Sequence, residues 1–413
     1  MLSDPERNAP RFADGLLRWS VLAWALVVLP HFLTDTPYYP VRLIIWGNDL
    51  RFFYDAATYF SGGFSPYLRD WFFSPPTAAL LVTTLTLLPF GLAYFVFSLG
   101  SMGAMVWGLW LSAKSALDPA GDGPARAGGE ARRVFFSSVG ILLLGLPLQF
   151  LMVRGNLDGI ILFLTIAALA LLNRAEWFSG ILIAIGAALK IYSGLLFLPL
   201  FFAGRRTAVL VGALTFVALG ANVSPCWVPF FHRLASRDAI FMLDENVSFP
   251  AFFSSVAAAV AGCPGIDLTW PKRAGLLAFV VLLAIRLIRD RARARSIREN
   301  PLPWLSLYFP LCVSIPSIVH NYELVFLVPL VPVLARCYAH AANRRERIEV
   351  GWVGGALALS QIHSVAAIGL SGALEIALLP QFGLFAVAVA CATGRLDPML
   401  ERSFSRRGPD AAT

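Results

Sequence analysis

Charge is what this sequence has least of: Asp, Glu, Lys and Arg make up 14% of its 413 residues, where a soluble globular domain carries about 25%. That shortage excludes an ordinary water-soluble enzyme, and a hydrophobic share of 58% excludes a disordered chain. Lysine is nearly missing, with Lys114, Lys190 and Lys272 set against 30 arginines. The five histidines and five cysteines stand at no metal-ligand spacing, so no metal is expected. No phosphate-cradling glycine loop and no Ser/His/Asp arrangement occurs either. The net charge of +8 suggests nucleic acid at first sight. The arginines, however, fall between apolar blocks, where they read as membrane topology.

Long apolar runs are what the sequence does have. A membrane-spanning helix needs about 20 such residues. The candidate spans are 17–33, 75–88, 90–112, 134–153, 157–172, 177–203, 207–221, 274–288, 303–319, 324–338, 350–371 and 373–393. These twelve (range 10–13) predict an all-α, polytopic transmembrane helical bundle forming one domain over 1–413. No small-residue cleavage site follows the first run, so it is expected to be a retained helix with a cytoplasmic N-terminus rather than a signal peptide. The stretch 286–298 holds six arginines against one aspartate and reads as cytoplasmic, as do 336–347, Arg205 with Arg206, and the C-terminal tail. Alternation then puts 34–74 and 222–273 outside, with the short turn His320–Glu323. The linker 114–133 fits least well, since parity places it outside although it carries Lys114, Arg126, Arg132 and Arg133. A single crossing over 75–112 would flip the segments before it.

The two external segments are rich in aromatics, among them Tyr54, Tyr67 and Trp71 in the first and Trp227, Phe230 and Trp270 in the second. Rings beside a bilayer serve as interfacial anchors or, alternatively, as a platform for a sugar or a prenyl chain. Cys226 and Cys263 both fall in the second segment, and an oxidising exterior leaves a disulfide between them an open question.

Three residues stand out for chemistry. Asp49 lies in WGNDLRFFYDAATYF, where the spacing of Asp49, Phe52/Phe53, Ala56/Ala57 and Phe60 predicts an amphipathic helix on the membrane surface. It either caps that helix, as Asn48 would equally well, or is a carboxylate partly stripped of water and suited to act as a general base. Lys190 sits inside an apolar run with more than ten residues on either side. A mid-span ion costs at least about 2.5–3.5 kcal/mol, so it faces a partner or a wet cavity, or else snorkels. His320, at a helix-helix turn, is either structural or a donor to a lipid phosphate.

The motif NDLRFFYDAATYFSGGFSPY, followed by FFSPPTAALL, resembles the first loop and second helix of glycosyltransferase family 87. The stretch RGNLDGIILFLTIAALALLNRAEWFSGILIAIGAALKIYSGLLFLPLFFAGRR resembles that family's central block, and ENVSFPAFF and IVHNYE fit its looser landmarks. The likeness covers about 40 to 325. Asn156 stands where the family commonly has Gln, and Ile191 where it has Pro, a change expected to remove a helix break beside Lys190.

The resemblance implies an integral membrane enzyme of GT-C architecture whose external loops carry short amphipathic helices. Such an enzyme moves a hexose, mannose favoured, from a polyprenyl-phosphate-sugar to a cell-envelope glycolipid or glycan acceptor, with inversion and without cofactor. It implies Asp49 as general base on the external face of the plasma membrane, with both termini cytoplasmic. Arg51, Lys190 and His320 are the candidates for the donor phosphate. Tyr54, Tyr67, Asn156 and Asn246 are the candidates for substrate binding. Two rivals keep the same features: a carrier or flippase for a lipid-linked sugar, which predicts pseudo-symmetric halves, and a non-catalytic envelope-assembly protein.

Overall fold

Prolines and breaks cut the apolar runs into many short helices. The computed structural model describes residues 8–23, 25, 47–68, 72–117, 127–236, 248–261, 269–314, 321–361 and 378–405. Among the expected features, the second half of the first span, Asp70, Trp71, Asn246, Cys263 and His320 lie outside these residues.

The described chain is all-α, without a strand. In order the helices are α1 (Asn8–Ala23), α2 (Asn48–Ser61), α3 (Pro76–Val82), α4 (Phe90–Leu117), α5 (Ala127–Leu144), α6 (Leu146–Arg154), α7 (Asp158–Leu171) and α8 (Glu176–Leu189). There follow α9 (Phe197–Phe202), α10 (Arg206–Ala221), α11 (Trp227–Ser236), α12 (Phe249–Ala261), α13 (Thr269–Arg291) and α14 (Ala294–Glu299). The last six are α15 (Pro301–Ser306), α16 (Phe309–Cys312), α17 (Leu330–Ala339), α18 (Arg344–Gln361), α19 (Leu378–Ala392) and α20 (Asp397–Ser405). Tight 3₁₀ turns over Thr83–Leu87, Ile191–Leu196 and Asn321–Leu327 join neighbouring pieces. Prolines at the start of α3, α6, α15 and α16 give up an N–H that the first turn does not use, so they begin helices rather than bend them.

The twelve expected spans therefore do not appear as twelve long helices. Among the described residues α4 is long and apolar enough to cross a bilayer unaided. Counting two bent pairs as one span each, Arg206–Ala221 with Ser224–Arg233 (84°) and Pro380–Ala392 with Asp397–Phe404 (54°), brings the total to three. Helices of 14 residues such as α7 and α8 reach only about 21 Å, short of a hydrocarbon layer about 30 Å thick. The run 134–153 splits at Gly145 into α5 and α6, and 303–319 contributes α15 and α16.

The core runs through α15, α16, the turn Asn321–Leu327 and α17, where Trp304, Tyr308, Phe309 and Phe326 are fully buried. Around it α7 packs on α4 and α8, and α8 on α10. The outer faces of α4, α10 and α13 carry exposed Phe95, Leu99, Leu210, Leu214, Leu276 and Val280. Water would penalise such surfaces and lipid would not; the chain is a membrane protein.

A buried ionic network docks α20. Arg286, wholly buried in α13, donates from Nη1 to Asp397 Oδ1 at 2.8 Å and to the Cys391 carbonyl at 2.9 Å, and from Nε to Asp290 Oδ2 at 3.1 Å. Its Nη2 pairs with Asp290 Oδ1 at 2.7 Å, and the Tyr308 hydroxyl donates to Asp290 Oδ2 at 2.5 Å. Arg289 and Arg293 both lie 3.3 Å from Asp397 Oδ2, and Arg293 also holds Glu401 at 2.5 Å. From α17, Arg336 donates to the Ser403 side chain and carbonyl at 2.7 and 2.8 Å and lies over the Phe404 ring. Part of the arginine-rich stretch 286–298 thus has a structural role beyond any topological one.

Candidate functional site

The helix expected over WGNDLRFFYDAATYF forms as its spacing predicts, over Asn48–Ser61, but Asp49 does not cap it. The N-cap is Gly47, in the left-handed region at φ 73°, and no side chain caps the helix. Asp49 instead turns its carboxylate away from its own helix. Oδ1 accepts from Arg154 Nε and Oδ2 from Asn156 Nδ2, each at 2.7 Å, and the residue is only 6% exposed. Both partners stand at the C-terminal end of α6, more than 100 residues away.

Two glycines make that meeting possible. Gly155 closes α6 at φ 68°, a conformation costly for any residue with a Cβ. A Cβ there would come within 3.0 Å of Leu50 and 3.1 Å of the Tyr94 ring, and one on Gly47 within 2.8 Å of the same ring. The start of α2 and the end of α6 therefore close on Tyr94. They are tied by the Gly47 N–H donating to the Val153 carbonyl at 2.8 Å and the Tyr94 hydroxyl donating to the Met152 carbonyl at 2.9 Å.

Asn156 carries the network onward, its Oδ1 accepting the Asp158 amide at 3.3 Å at the start of α7. Asp158 is fully buried; its Oδ2 accepts from Lys190 Nζ at 2.7 Å, and its Oδ1 takes the Tyr192 hydroxyl. Lys190 reaches a second carboxylate, Glu323 Oε1, at 3.0 Å. Glu323 is 4% exposed, and the charges of Asp158 and Asp49 both act on it. Among the described residues the network holds three carboxylates, Asp49, Asp158 and Glu323, against two cations, Arg154 and Lys190.

Lys190 is not in mid-helix. The run 177–203 breaks at it: α8 ends at Leu189, Lys190 is extended (φ −147°, ψ 125°), and a 3₁₀ turn follows. The break forms without a proline, so Ile191 does not restore a continuous helix as its substitution for Pro suggested. Thr77 Oγ1 donates to the Ala188 carbonyl at 2.5 Å, satisfying an acceptor near the broken end. Glu323 is set by its own 3₁₀ turn, which packs on α6; Phe326 meets Tyr192 edge-on at 5.3 Å, and Gln361 donates to the Leu324 carbonyl at 3.0 Å.

The other expected residues lie elsewhere or are otherwise engaged. Arg51 projects from a different face of α2, pairing with Asp55 at 3.6 Å and lying over Phe90, beside a cavity of about 200 Å³ lined by Phe52, Tyr59 and Phe72. The Tyr54 hydroxyl donates to the Leu88 carbonyl at 2.8 Å, and that of Tyr67 to the Ser74 carbonyl at 2.7 Å. Burial pushes the Tyr67 phenol far up from its ordinary value, keeping it a donor. Tyr67 ties the turn Pro66–Leu68 to α11 through Phe230 and through Arg233, which donates to its carbonyl at 2.9 Å. Cys226 carries a free, buried thiol. Asn246 and His320 lie outside the described residues.

Sequence reasoning passed over Arg154, Asp158, Tyr192 and Glu323 as site residues. A signal was present: RGNLD sets both signs of charge between two apolar runs, and Glu323 is an acid directly before one. Each ionisable residue there needs a partner.

The profile described as glycosyltransferase family 87 matches residues 72–302, more than half of the chain. The chain belongs to glycosyltransferase family 87. It is a glycosyltransferase, and the matched segment contains Arg154, Asn156, Asp158, Lys190 and Tyr192, with Asp49 and Glu323 joining from either side. The chain is also 34% identical over 146 residues to GPI mannosyltransferase 1 of Emericella nidulans, covering 35% of this chain and 31% of that one. With GPI mannosyltransferase 1 of Aspergillus fumigatus it shares 33% over 147 residues, covering 35% and 32%. It thus spans about a third of the length of these curated relatives.

Proposed function

We propose that this family 87 member transfers a hexose, mannose favoured, from a polyprenyl-phosphate-sugar to a glycolipid or glycan acceptor, on the external face of the plasma membrane and with inversion. The mannose preference rests on the names of the fungal relatives. The observation that carries the mechanism is the buried Asp49 carboxylate, held by Arg154 and Asn156 at 2.7 Å each.

Arg154 and Asn156 fix the plane of the carboxylate while each oxygen keeps a second lone pair for a substrate hydroxyl. As the acceptor oxygen bonds to the anomeric carbon from one side, the bond to phosphate breaks on the other, and the acceptor proton passes to Asp49. Polyprenyl phosphate leaves with the electron pair. Its growing charge needs donors, yet among the described residues both cations of the network already hold carboxylates, which outnumber them three to two. His320, three residues before Glu323 in the chain, is assigned that charge in its protonated form, with Lys190 and Arg51 as further phosphate candidates.

The test is transfer from radiolabelled polyprenyl-phosphate-mannose in membranes expressing wild type or Asp49→Asn. Label entering a new glycolipid with wild type alone is the expected result. Equal transfer by both overturns the base assignment. No transfer by either, with both proteins present and acceptors supplied, overturns the donor and favours the carrier reading.

A further inference from the structure

Glu323 spends one oxygen and keeps the other. Oε1 accepts from Lys190 at 3.0 Å, whereas Oε2 is buried and, among the described residues, meets no hydrogen-bond partner. A buried carboxylate oxygen without a partner is costly, and native structures leave few of them. Its neighbours make the choice of ligand narrow. Asp158 already accepts from Lys190 and Tyr192, and Asp49 from Arg154 and Asn156, its remaining lone pairs being assigned above to the acceptor hydroxyl. When ionised this oxygen repels an anionic phosphate and accepts only; when protonated it donates. A hydroxyl group satisfies it in either state, and a sugar presents several.

We propose that Glu323 is a specificity residue of this glycosyltransferase, its Oε2 accepting a hydrogen bond from one hydroxyl of the sugar being transferred while Lys190 holds its other oxygen in place. The inference rests on the lipid-linked sugar reading above. The Lys190 bond fixes the side chain before substrate arrives, so little rotamer freedom is lost on binding. A site built around a substrate hydroxyl rejects an analogue lacking it far more strongly than a purely apolar pocket would.

The experiment compares polyprenyl-phosphate-mannose with its 2-, 3-, 4- and 6-deoxy forms, using the full-length enzyme in membranes. With wild type, one deoxy donor loses about tenfold to a hundredfold in kcat/KM beyond the others, the worth of a hydrogen bond to a charged group. In Glu323→Gln the intact donor weakens and that one penalty shrinks toward the rest. Glu323→Asp keeps the charge near Lys190 but withdraws the oxygen by one methylene; it shows the same flattening and decides the matter if the glutamine variant does not fold. A flat deoxy profile with wild type, or an unchanged profile in both variants, overturns the inference and leaves Oε2 to water. No transfer by wild type removes the lipid-linked mannose reading and the Glu323 role together, whereas transfer with a flat profile removes the second alone.

Discussion

Two ionic networks sit in this protein, one buried at Arg286 with Arg289 and Glu401 at its exposed rim, the other buried at its carboxylates, and they differ in how they close. Around Arg286, three arginines face three acids: Arg286, Arg289 and Arg293 against Asp290, Asp397 and Glu401. Around Lys190 and Arg154, two cations face three carboxylates among the described residues, and one oxygen of Glu323 meets no partner there. The first network is balanced and ties the end of α13 to α20, which is what holding a bundle together requires. The second pays a cost in unbalanced charge that stability alone does not repay. On the function proposed above, balance marks the part that holds, and imbalance the part that awaits a substrate.

The sharpest way to test that contrast is to remove one member from each side. Asp49→Asn keeps the shape of the side chain and is expected to lower transfer by about 10²–10⁴-fold, the usual worth of a general base, while thermal unfolding in detergent shifts little. Arg286→Met leaves Asp290 and Asp397 buried without their main partner. It is expected to cost about 3–5 kcal/mol of stability by the same unfolding measurement, with turnover per folded molecule unchanged. Loss of turnover in folded Arg286→Met would break the division between the two networks.

Smaller changes sharpen it. Asn156→Ala removes one charge-assisted bond to Asp49 and is expected to lower kcat by about tenfold or somewhat more with KM little moved. Asn156→Gln, the amide common in the family at this point, recovers most of it. Tyr192→Phe deletes the hydroxyl that bonds Asp158 and is expected to cost about 0.5–1.5 kcal/mol of stability. Steady-state kinetics and a melting curve check the pair.

The local features of the site were the legible ones. The 3.6-residue spacing of WGNDLRFFYDAATYF announced α2, and the cost of a lysine among apolar residues singled out Lys190 while leaving a partner, a wet cavity and snorkelling open. Which partners was not legible, because Asp158 and Glu323 lie 32 and 133 residues from it, and spacing says nothing across such distances. Asp49 looked as much like a helix cap as a base; it is the left-handed Gly155, closing α6 against Leu50 and Tyr94, that brings Arg154 and Asn156 to it. Long apolar runs likewise announced membrane helices but not their breaks, since the break at Lys190 follows from its two ion pairs and from Thr77, not from a proline.

The spread of the second network along the chain also sets the order in which it can assemble. Synthesis delivers Asp49 first, then Arg154 and Asn156, then Asp158 and Lys190, which can meet as soon as α7 and α8 pair. Glu323 emerges last, more than a hundred residues after the lysine it grips. Until then the nascent protein carries a Lys190 with one carboxylate fewer. A chain ending between those points has Asp49, Arg154, Asn156, Asp158 and Lys190 but lacks both Glu323 and the core that Phe326 and its neighbours build.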